Sequence, residues 1–329
     1  MFDSFHVTFI IESYPYICYS LVMAHILVTG VNGFVGHHMV GELKKHNHKV
    51  TGTGTRAQAD PRLKLVLDNY IGGCDLTKHE SVKKLPLKEI DAVINLAGLA
   101  QVGASFDQPD VYMHVNVAVH ETLVAELKRL GRNDVRVVAV SSGAVYENNQ
   151  PMPLKETSAL IKDGSPYAKS KVAMEAMLHK YQNEGMNIVV ARPFNHIGPG
   201  QGGGFLIPDL FQKLLGGKPV TVGSLATERD YTDVRDVVCA YALLATQPNL
   251  KDNLYNVCSG KSISGDKILR TVLRIANKSD TPVTVDPSLI RPSDPQRIVG
   301  DSTRLRQAVG WTPKIELEQT ISDVFAELS

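Results

Sequence analysis

The feature that most restricts the fold of this chain is a glycine-rich loop between an apolar run and an amphipathic segment. The run His25–Thr29 leads into Gly30, Gly33 and Gly36, and the amphipathic segment covers residues 37–46. Strand, glycine loop and helix in this order are typical of the first βα unit of a dinucleotide-binding sheet. The spacing is Gly-x-x-Gly-x-x-Gly, not the commoner Gly-x-Gly-x-x-Gly, so a purely structural turn is the alternative.

Glycine lets the backbone approach a pyrophosphate, and the free N–H groups at the start of the following helix bind phosphate. We therefore expect the loop to form the cofactor site. The residues expected to contact the cofactor there are Gly30, Asn32, Gly33, Phe34, Val35 and Gly36.

The second predicted strand, residues 49–55, bears on which dinucleotide is bound. A site selective for NAD places an acidic residue near the end of this strand, where it holds the ribose 2′-hydroxyl. Here the strand ends in Gly54, Thr55 and Arg56. A hydroxyl and a guanidinium suit a 2′-phosphate, so NADP(H) is favoured and NAD(H) is the alternative. In the simpler interpretation Arg56 is only a solvated surface residue.

Strand-like and helix-like segments alternate throughout the first part of the chain. Further strands are predicted at residues 70–74, 92–97, 135–140 and 187–192, with a long helix over 111–128. Such alternation predicts an α/β fold: a Rossmann-type doubly wound parallel sheet, followed by a smaller C-terminal α/β lobe.

The ends of the third and fourth strands supply further candidate cofactor contacts. Asp75 and Leu76 follow the third strand, and a carboxylate at that edge can reach the exocyclic amine of adenine. The fourth strand ends in Leu96, Ala97 and Gly98, where small residues leave room for the cofactor. In an open α/β sheet, ligands bind at these carboxyl ends of the strands.

Candidate chemistry is carried by Tyr167 and Lys171, which lie four positions apart on a predicted helix running to about Glu184. That spacing places both side chains on one helix face, where the ammonium would stabilise the phenolate. The tyrosine would then exchange a proton near neutral pH. Ser142, at the end of the fifth strand, is well placed as a hydroxyl partner. The pair alone is weak evidence, since this spacing occurs by chance on solvated helices.

The bulk composition excludes several classes of function. With 35 basic and 34 acidic residues the net charge is +1, which gives no reason to expect binding to nucleic acid or to an anionic membrane. Four dispersed cysteines are typical of reduced, buried thiols in a cytoplasmic protein and predict neither a disulfide framework nor a metal site.

The chain divides into three parts. Residues 1–22 carry interrupted apolar sequence that fits neither a signal peptide nor a membrane span, so Met23 is the expected natural start. We expect a dinucleotide-binding domain at 23–192 and a substrate-binding lobe at 193–329, with roughly 232–258 returning to the first domain. The loop 193–204 is rich in Gly and Pro and carries aromatic, amide and imidazole groups, as binding loops do.

Taken together, these motifs resemble the extended short-chain dehydrogenases/reductases of the NAD-dependent epimerase/dehydratase family. The glycine loop, Asp75-Leu76, Asn95-Leu96-Ala97, Ser142 and the Tyr167/Lys171 pair occur in the family's order. The segments 192–201, 229–236 and 291–294 are similar to the branch that acts on GDP-mannose derivatives.

This resemblance implies roles for individual residues. Ser142, Tyr167 and Lys171 would be catalytic, and the substrate is a GDP-sugar. Its expected contacts are Ser105, Asn195, Phe205, Ile207, Arg229, Arg291 and Asp294. Asp294 replaces the family's usual Glu and reaches less far towards the ribose. The family usually forms homodimers through a helix pair.

The implied reaction is reduction of the 4-keto group of GDP-4-keto-6-deoxy-D-mannose to GDP-D-rhamnose. A 4,6-dehydratase carries carboxyl groups beside the catalytic Ser or Thr, whereas Gly143 and Ala144 stand here. The alternatives are a nucleotide-sugar 4-epimerase, which needs only the same triad, and a 4,6-dehydratase. A non-catalytic dinucleotide-binding regulator is the alternative of another class, although such members typically lose Tyr or Lys.

Overall fold

The computed structural model describes residues 23–289 and 295–329. Its strands are β1 (His25–Thr29), β2 (Lys49–Thr53), β3 (Asn69–Ile71), β4 (Ala92–Asn95), β5 (Arg136–Val140), β6 (Ile188–Pro193), β7 (Asn195–Ile197), β8 (Val220–Val222), β9 (Glu228–Asp233), β10 (Leu254–Val257), β11 (Ser262–Ser264), β12 (Val283–Val285) and β13 (Arg297–Ile298). Its α-helices are α1 (Phe34–Lys45), α2 (His79–Val82), α3 (Val102–Asp107), α4 (Pro109–Arg129), α5 (Pro166–Asn183), α6 (Leu206–Leu215), α7 (Val234–Thr246), α8 (Gly265–Ile275), α9 (Thr303–Val309) and α10 (Leu317–Leu328).

A seven-stranded sheet forms the centre of the molecule, with the strand order β10-β6-β5-β4-β1-β2-β3. Every neighbouring pair in it is parallel. Parallel neighbours cannot be joined by hairpins, so each connection crosses the sheet, mostly through a helix. The predicted doubly wound parallel sheet is therefore confirmed.

Helices cover both faces of the sheet, which explains why its strands are apolar throughout. In β1, Ile26 and Val28 belong to one hydrophobic core, which includes residues of α1 and α7. Leu27 belongs to the opposite core, together with residues of α4 and α5. Successive side chains of a strand point to opposite faces, so a strand that is buried on both sides needs apolar residues at every position.

Several strands end earlier than the sequence pattern predicts. The second strand ends at Thr53, not at residue 55, and the third covers Asn69–Ile71, not 70–74. Beyond these points the two segments stay close, and Cys74 N–H donates to Gly54 O at 3.0 Å. Gly73, with a φ of +61°, bends the chain away from the sheet there. Cys74 is buried, whereas Thr55, Gly72 and Gly73 are exposed, so the buried pattern does not continue through the residues after each strand.

A second, smaller group of elements follows the sixth strand. β9 pairs with β7, β11 and β13, and α6, α8 and α10 share a separate hydrophobic core with β8. The strand β10 returns to the edge of the central sheet beside β6. Because β7 pairs with β9, the loop that follows β7 is held near α7, against the first turn of α1.

The described residues contain free cysteines, but no helix that could span a membrane and no cluster of metal ligands. Cys74, Cys239 and Cys258 are buried free thiols, and the fourth cysteine lies outside the described residues, as does the predicted extension 1–22. Within the described ranges, no helix has the length and apolar character that crossing a membrane requires. No cluster of potential metal ligands occurs there either.

Candidate active site

The candidate site lies at the carboxyl edge of the central sheet, where the strand order reverses. β1 lies between β2 and β4, so chain connections leave it in both directions and open a crevice at this edge. The glycine loop follows β1, the small residues 96–98 follow β4, and Ser142 follows β5. The topology therefore brings the predicted cofactor residues to the same edge as the predicted proton relay, which consists of Ser142, Tyr167 and Lys171.

The glycine loop has the close packing that a dinucleotide site requires. A Cβ at Gly36 would lie 2.3 Å from Val31 O, so only glycine lets α1 pack this closely on the loop. Gly30 has a φ of +62°, and a Cβ there would meet Ala97 N at 3.0 Å. No side chain caps α1 at Gly33, and its first turn contains no acidic residue. This helix end can therefore receive an anion, and the loop fits a pyrophosphate.

A hydrogen-bonded brace connects the glycine loop to the segment after β2. The Asn32 side chain donates to Tyr70 Oη at 2.9 Å and accepts from Asp60 N–H at 2.8 Å. Tyr70 Oη in turn donates to Arg56 O at 2.7 Å. The backbone of Arg56 is thus fixed while its side chain stays exposed, which suits a residue that would meet a ribose phosphate.

The other predicted cofactor residues, Asp75, Leu76 and Gly98, already make contacts within the protein. Asp75 accepts from the Thr77 hydroxyl at 2.7 Å and lies 3.4 Å from Lys78 Nζ, and the Thr77 bond lowers the pKa of this carboxyl. Leu76 is buried, and its carbonyl accepts from the Thr122 hydroxyl. Gly98 packs against the Asn116 amide, since a Cβ there would lie 2.9 Å from Asn116 Oδ1.

The predicted catalytic trio comes together at the start of α5. Tyr167 and Ser142 share a side-chain hydrogen bond, and Ser142 Oγ also accepts from Ala144 N–H at 3.1 Å. Lys171 Nζ donates to Val140 O, the last carbonyl of β5, at 2.9 Å. Ser165 is the N-cap of this helix, and Pro166 lies in its first turn. Both residue types favour the start of a helix at this position, which explains why α5 begins here.

The predicted net lowering of the Tyr167 pKa towards neutrality is not what this structure shows. Burial raises the pKa of the Tyr167 phenol, and the Ser142 hydrogen bond opposes that shift. Burial also lowers the pKa of Lys171 to about 8. The physical reason is desolvation, which disfavours the charged form of both groups. A tyrosine that keeps its proton is the donor form that a reduction requires.

Three further residues support the trio. Asn116, in the middle of α4, accepts from Leu99 N–H at 2.8 Å and donates to Ser170 Oγ at 2.9 Å, so it connects the segment after β4 to α5. Sequence reasoning missed Tyr112, whose ring packs edge-on against Tyr167 at 6.5 Å between centroids. It also missed Glu175, although its place four residues after Lys171 puts it on the same face of α5.

The predicted substrate residues lie on several elements. Ser105 is fully buried and donates to Val102 O at 2.6 Å. Ile207 is 1% exposed in the core of the smaller lobe, so only its backbone could contact a ligand. Phe205, at the start of α6, is 38% exposed.

Two further polar substrate candidates lie on paired strands, Asn195 on β7 and Arg229 on β9. Asn195 is exposed, and its side chain hydrogen-bonds Tyr231. Arg229 is half-buried, and its Nη1 donates to Glu228 O and Pro295 O at 2.8 and 2.9 Å. Arg291 and Asp294 lie outside the described residues.

The residues that follow Ser142 contribute neither an acid nor a base. A Cβ at Gly143 would lie 3.1 Å from the Phe194 ring, so this position is closed by an aromatic side chain. Ala144 supplies only its backbone N–H, which Ser142 accepts. Among the described residues, Tyr167 and Ser142 are therefore the groups that can exchange a proton at this point. Lys171 follows Tyr167 by one turn of α5.

Comparison with known proteins gives relatives that share this fold. The chain is 31% identical to the GDP-6-deoxy-D-mannose reductase of Pseudomonas aeruginosa, over 92% of this chain and 96% of that protein. It is 30% identical to the UDP-glucose 4-epimerase of Lactobacillus helveticus, over 92% and 94%. A solved structure described as RMD from Pseudomonas aeruginosa complexed with NADPH superimposes with a TM-score of 0.76 at 29% identity, covering 93% of this chain and 98% of that one.

The family model named NAD dependent epimerase/dehydratase family matches residues 26–258. The match covers the glycine loop, Ser142 and the Tyr167/Lys171 pair, and confirms the resemblance that these motifs indicated. An enzyme of nucleotide-sugar metabolism that uses NAD(P) is therefore supported. The chain belongs to the NAD-dependent epimerase/dehydratase family.

Proposed function

We propose that this protein reduces the 4-keto group of GDP-4-keto-6-deoxy-D-mannose and forms GDP-D-rhamnose. One observation carries the proposal: Tyr167 and Ser142 are hydrogen-bonded beside Lys171, while Gly143 and Ala144 next to them hold no acid or base. Such a site can deliver one proton to an alkoxide. Dehydration would also require removal of the proton at carbon 5 and protonation of the carbon-6 hydroxyl.

The bound dinucleotide supplies a hydride to the carbonyl carbon. The groups of this chain that would hold it are the N–H groups at the start of α1, Arg56 at the ribose phosphate and Lys171 at the nicotinamide ribose. Arg56 and the absence of an acidic residue at the end of β2 favour NADPH over NADH.

The proton steps follow from the geometry of the trio. Ser142 would donate its hydroxyl hydrogen to the oxygen at carbon 4 and so stabilise the negative charge that develops there. Tyr167, kept protonated by its buried surroundings, would transfer its proton to this oxygen. Lys171 lies behind them, fixed to Val140 O, and would stabilise the phenolate that results.

Sequence similarity supports the same substrate. The GDP-6-deoxy-D-mannose reductase is 31% identical, but the UDP-glucose 4-epimerase is 30% identical over a similar span. That second relative makes 4-epimerisation of a nucleotide sugar the alternative function. An epimerase returns the hydride to the same sugar, whereas a reductase consumes one reduced cofactor in each turnover.

Cofactor consumption therefore tests the proposal. Purified protein is incubated with GDP-4-keto-6-deoxy-D-mannose and NADPH, and absorbance of the reduced cofactor is followed while the sugar products are separated by chromatography. We expect stoichiometric oxidation of NADPH with formation of a GDP-6-deoxyhexose. No oxidation of NADPH, together with interconversion of UDP-glucose and UDP-galactose without net cofactor change, would show an epimerase instead.

The division into a dinucleotide-binding domain and a substrate-binding lobe is part of this proposal. We place the GDP moiety against the loop 193–204, the start of α6 and Arg229, which lie on the side of the smaller lobe. The homodimer expected from the family is likewise a proposal, with sedimentation as its test.

A further inference from the structure

A buried ion pair lies directly beneath the catalytic trio. The side chains of Arg192 and Glu175 are 3% and 10% exposed, and Arg192 Nη2 lies 2.5 Å from Glu175 Oε2. A second bond, from Arg192 Nε to Glu175 Oε1 at 2.9 Å, makes the pair bidentate. Bidentate geometry is what allows such charges to be buried without a large loss of stability.

The pair is connected to the catalytic loop through Ser141. Ser141 Oγ donates to Glu175 Oε1 at 2.5 Å, and Ser141 immediately precedes Ser142. Three elements meet at one carboxylate: the end of β5 through Ser141, β6 through Arg192, and α5 through Glu175 itself. Movement of Glu175 would therefore displace the backbone that presents the Ser142 hydroxyl.

Arg192 is fixed from its other side as well. Its guanidinium lies 4.8 Å from the centroid of the Tyr146 ring, and its Nη1 donates to Glu156 O at 3.3 Å. These contacts fix the guanidinium and, through it, the Glu175 carboxylate. The carboxylate is therefore held in place one helical turn from Lys171.

On α5, Glu175 lies one turn beyond Lys171, which lies one turn beyond Tyr167. The Glu175 carboxylate raises the pKa of Lys171, against the stronger lowering by burial. A second titratable group close to Lys171 is His120 on α4, and burial lowers the pKa of His120 to about 3, so it is neutral. The Arg192 guanidinium on the far side of Glu175 offsets part of the effect of that carboxylate. Glu175 is the group that favours the charged form of Lys171.

We propose that Glu175 is a positioning residue for the relay: it keeps the Lys171 ammonium charged at neutral pH and, through Ser141, holds Ser142 against Tyr167. The inference deepens the proposed reduction, because a charged Lys171 is what stabilises the Tyr167 phenolate after proton transfer. Glu175 itself touches none of the reacting atoms.

The first test follows the ionisation of Lys171 in the protein without ligands. The rate of acetylation by acetic anhydride is measured against pH, and the Lys171 peptide is quantified by mass spectrometry. Only the uncharged amine reacts, so the midpoint of the curve reports its pKa. Glu175→Gln should lower this midpoint by about one pH unit, because a buried unit charge at this range has that effect.

Glu126→Gln is the matched control for this substitution. Glu126 on α4 is also a buried carboxylate, and its Oε1 lies 2.6 Å from Arg129 Nη2, but it is away from the trio. It should leave the Lys171 midpoint unchanged. An unchanged midpoint in Glu175→Gln, or an equal shift in Glu126→Gln, would overturn the assignment. This test uses no substrate, so it stands even if the proposed reduction fails.

Two further variants separate positioning from folding. Glu175→Gln leaves Arg192 buried without its partner, and circular dichroism shows whether it folds. If it does not, Glu175→Gln/Arg192→Met removes both charges, and a lowered Lys171 midpoint is still required of it, by a smaller amount because the opposing Arg192 charge is also gone. Ser141→Ala keeps the ion pair, so it should lower kcat about tenfold with unchanged KM and unchanged Lys171 midpoint. An unaltered kcat in Ser141→Ala would contradict the claim that Ser141 holds Ser142 against Tyr167.

Discussion

The proton relay and the sugar-binding segments differ in how this fold holds them. Tyr167, Lys171 and Ser142 lie on one helix and at the end of one central strand; Ser142 interacts with Tyr167, and Lys171 is fixed to the last carbonyl of that strand. The predicted sugar contacts are spread over a helix start, two strands of a small sheet and a segment outside the described residues. The candidate reaction chemistry therefore lies on one helix and one strand end of the central sheet, whereas the proposed sugar contacts are distributed over several elements.

This difference has a physical consequence for substitutions. A group that acts on the reacting atoms loses most of its effect with a displacement of about 1 Å, because catalysis depends on geometry. A loop contact contributes one of several parallel interactions with a large ligand. Substitutions in the relay should therefore cost far more than substitutions in the sugar-binding segments, and four predictions test this in order of size.

The largest effect is expected for Tyr167→Phe. Loss of the phenolic proton should lower kcat about a thousandfold, within the range of general acid catalysis. The ring still packs against Tyr112, so folding and NADPH affinity, measured by fluorescence, should be unchanged. Tyr112→Phe is the matched control and should keep most of the turnover. Near-normal turnover of Tyr167→Phe would remove it as the proton donor.

A smaller loss is expected for Ser142→Ala. The alkoxide loses one hydrogen-bond donor, which should lower kcat about a hundredfold with little change in KM. Ser142→Thr keeps the hydroxyl and should recover most of the rate in steady-state kinetics. If both variants lose the same activity, the hydroxyl is not the responsible group.

Arg56→Ser tests the cofactor end of the site. Removal of the guanidinium should raise the KM for NADPH about tenfold and leave that for NADH almost unchanged, since only NADPH carries the 2′-phosphate. The exposed Arg270 on α8 provides a control, because Arg270→Ser should alter neither value. An equal change for both cofactors would contradict a phosphate contact.

The smallest effect is expected for Phe205→Ala. Phe205 is 38% exposed at the start of α6, and loss of one partly exposed aromatic contact should raise the KM for the sugar about fivefold. Leu215→Ala, at the other end of the same helix and 49% exposed, should leave it unchanged. A hundredfold effect at Phe205 would erase the distinction between relay and sugar-binding segments.

Much of the relay could be predicted because its signals are local. The spacing of Tyr167 and Lys171, the Ser165-Pro166 start of α5 and the packing at Gly36 all depend on neighbours in sequence. The sugar contacts could not be placed in this way. Ile207 fits an apolar helix pattern equally well as a core residue or as a ligand contact, and only packing in the smaller lobe shows that it is buried.

The sequence alone determined the parallel sheet and the glycine loop and predicted the candidate catalytic trio, since periodicity and short spacings dictate local structure. Tertiary structure decided the electrostatics. Burial raises the pKa of Tyr167 and lowers that of Lys171, which reverses the expectation drawn from their spacing. It also brought Ser141, Glu175 and Arg192 from three separate elements into one network. Desolvation and long-range contacts depend on what surrounds a residue in space, and no local pattern encodes that.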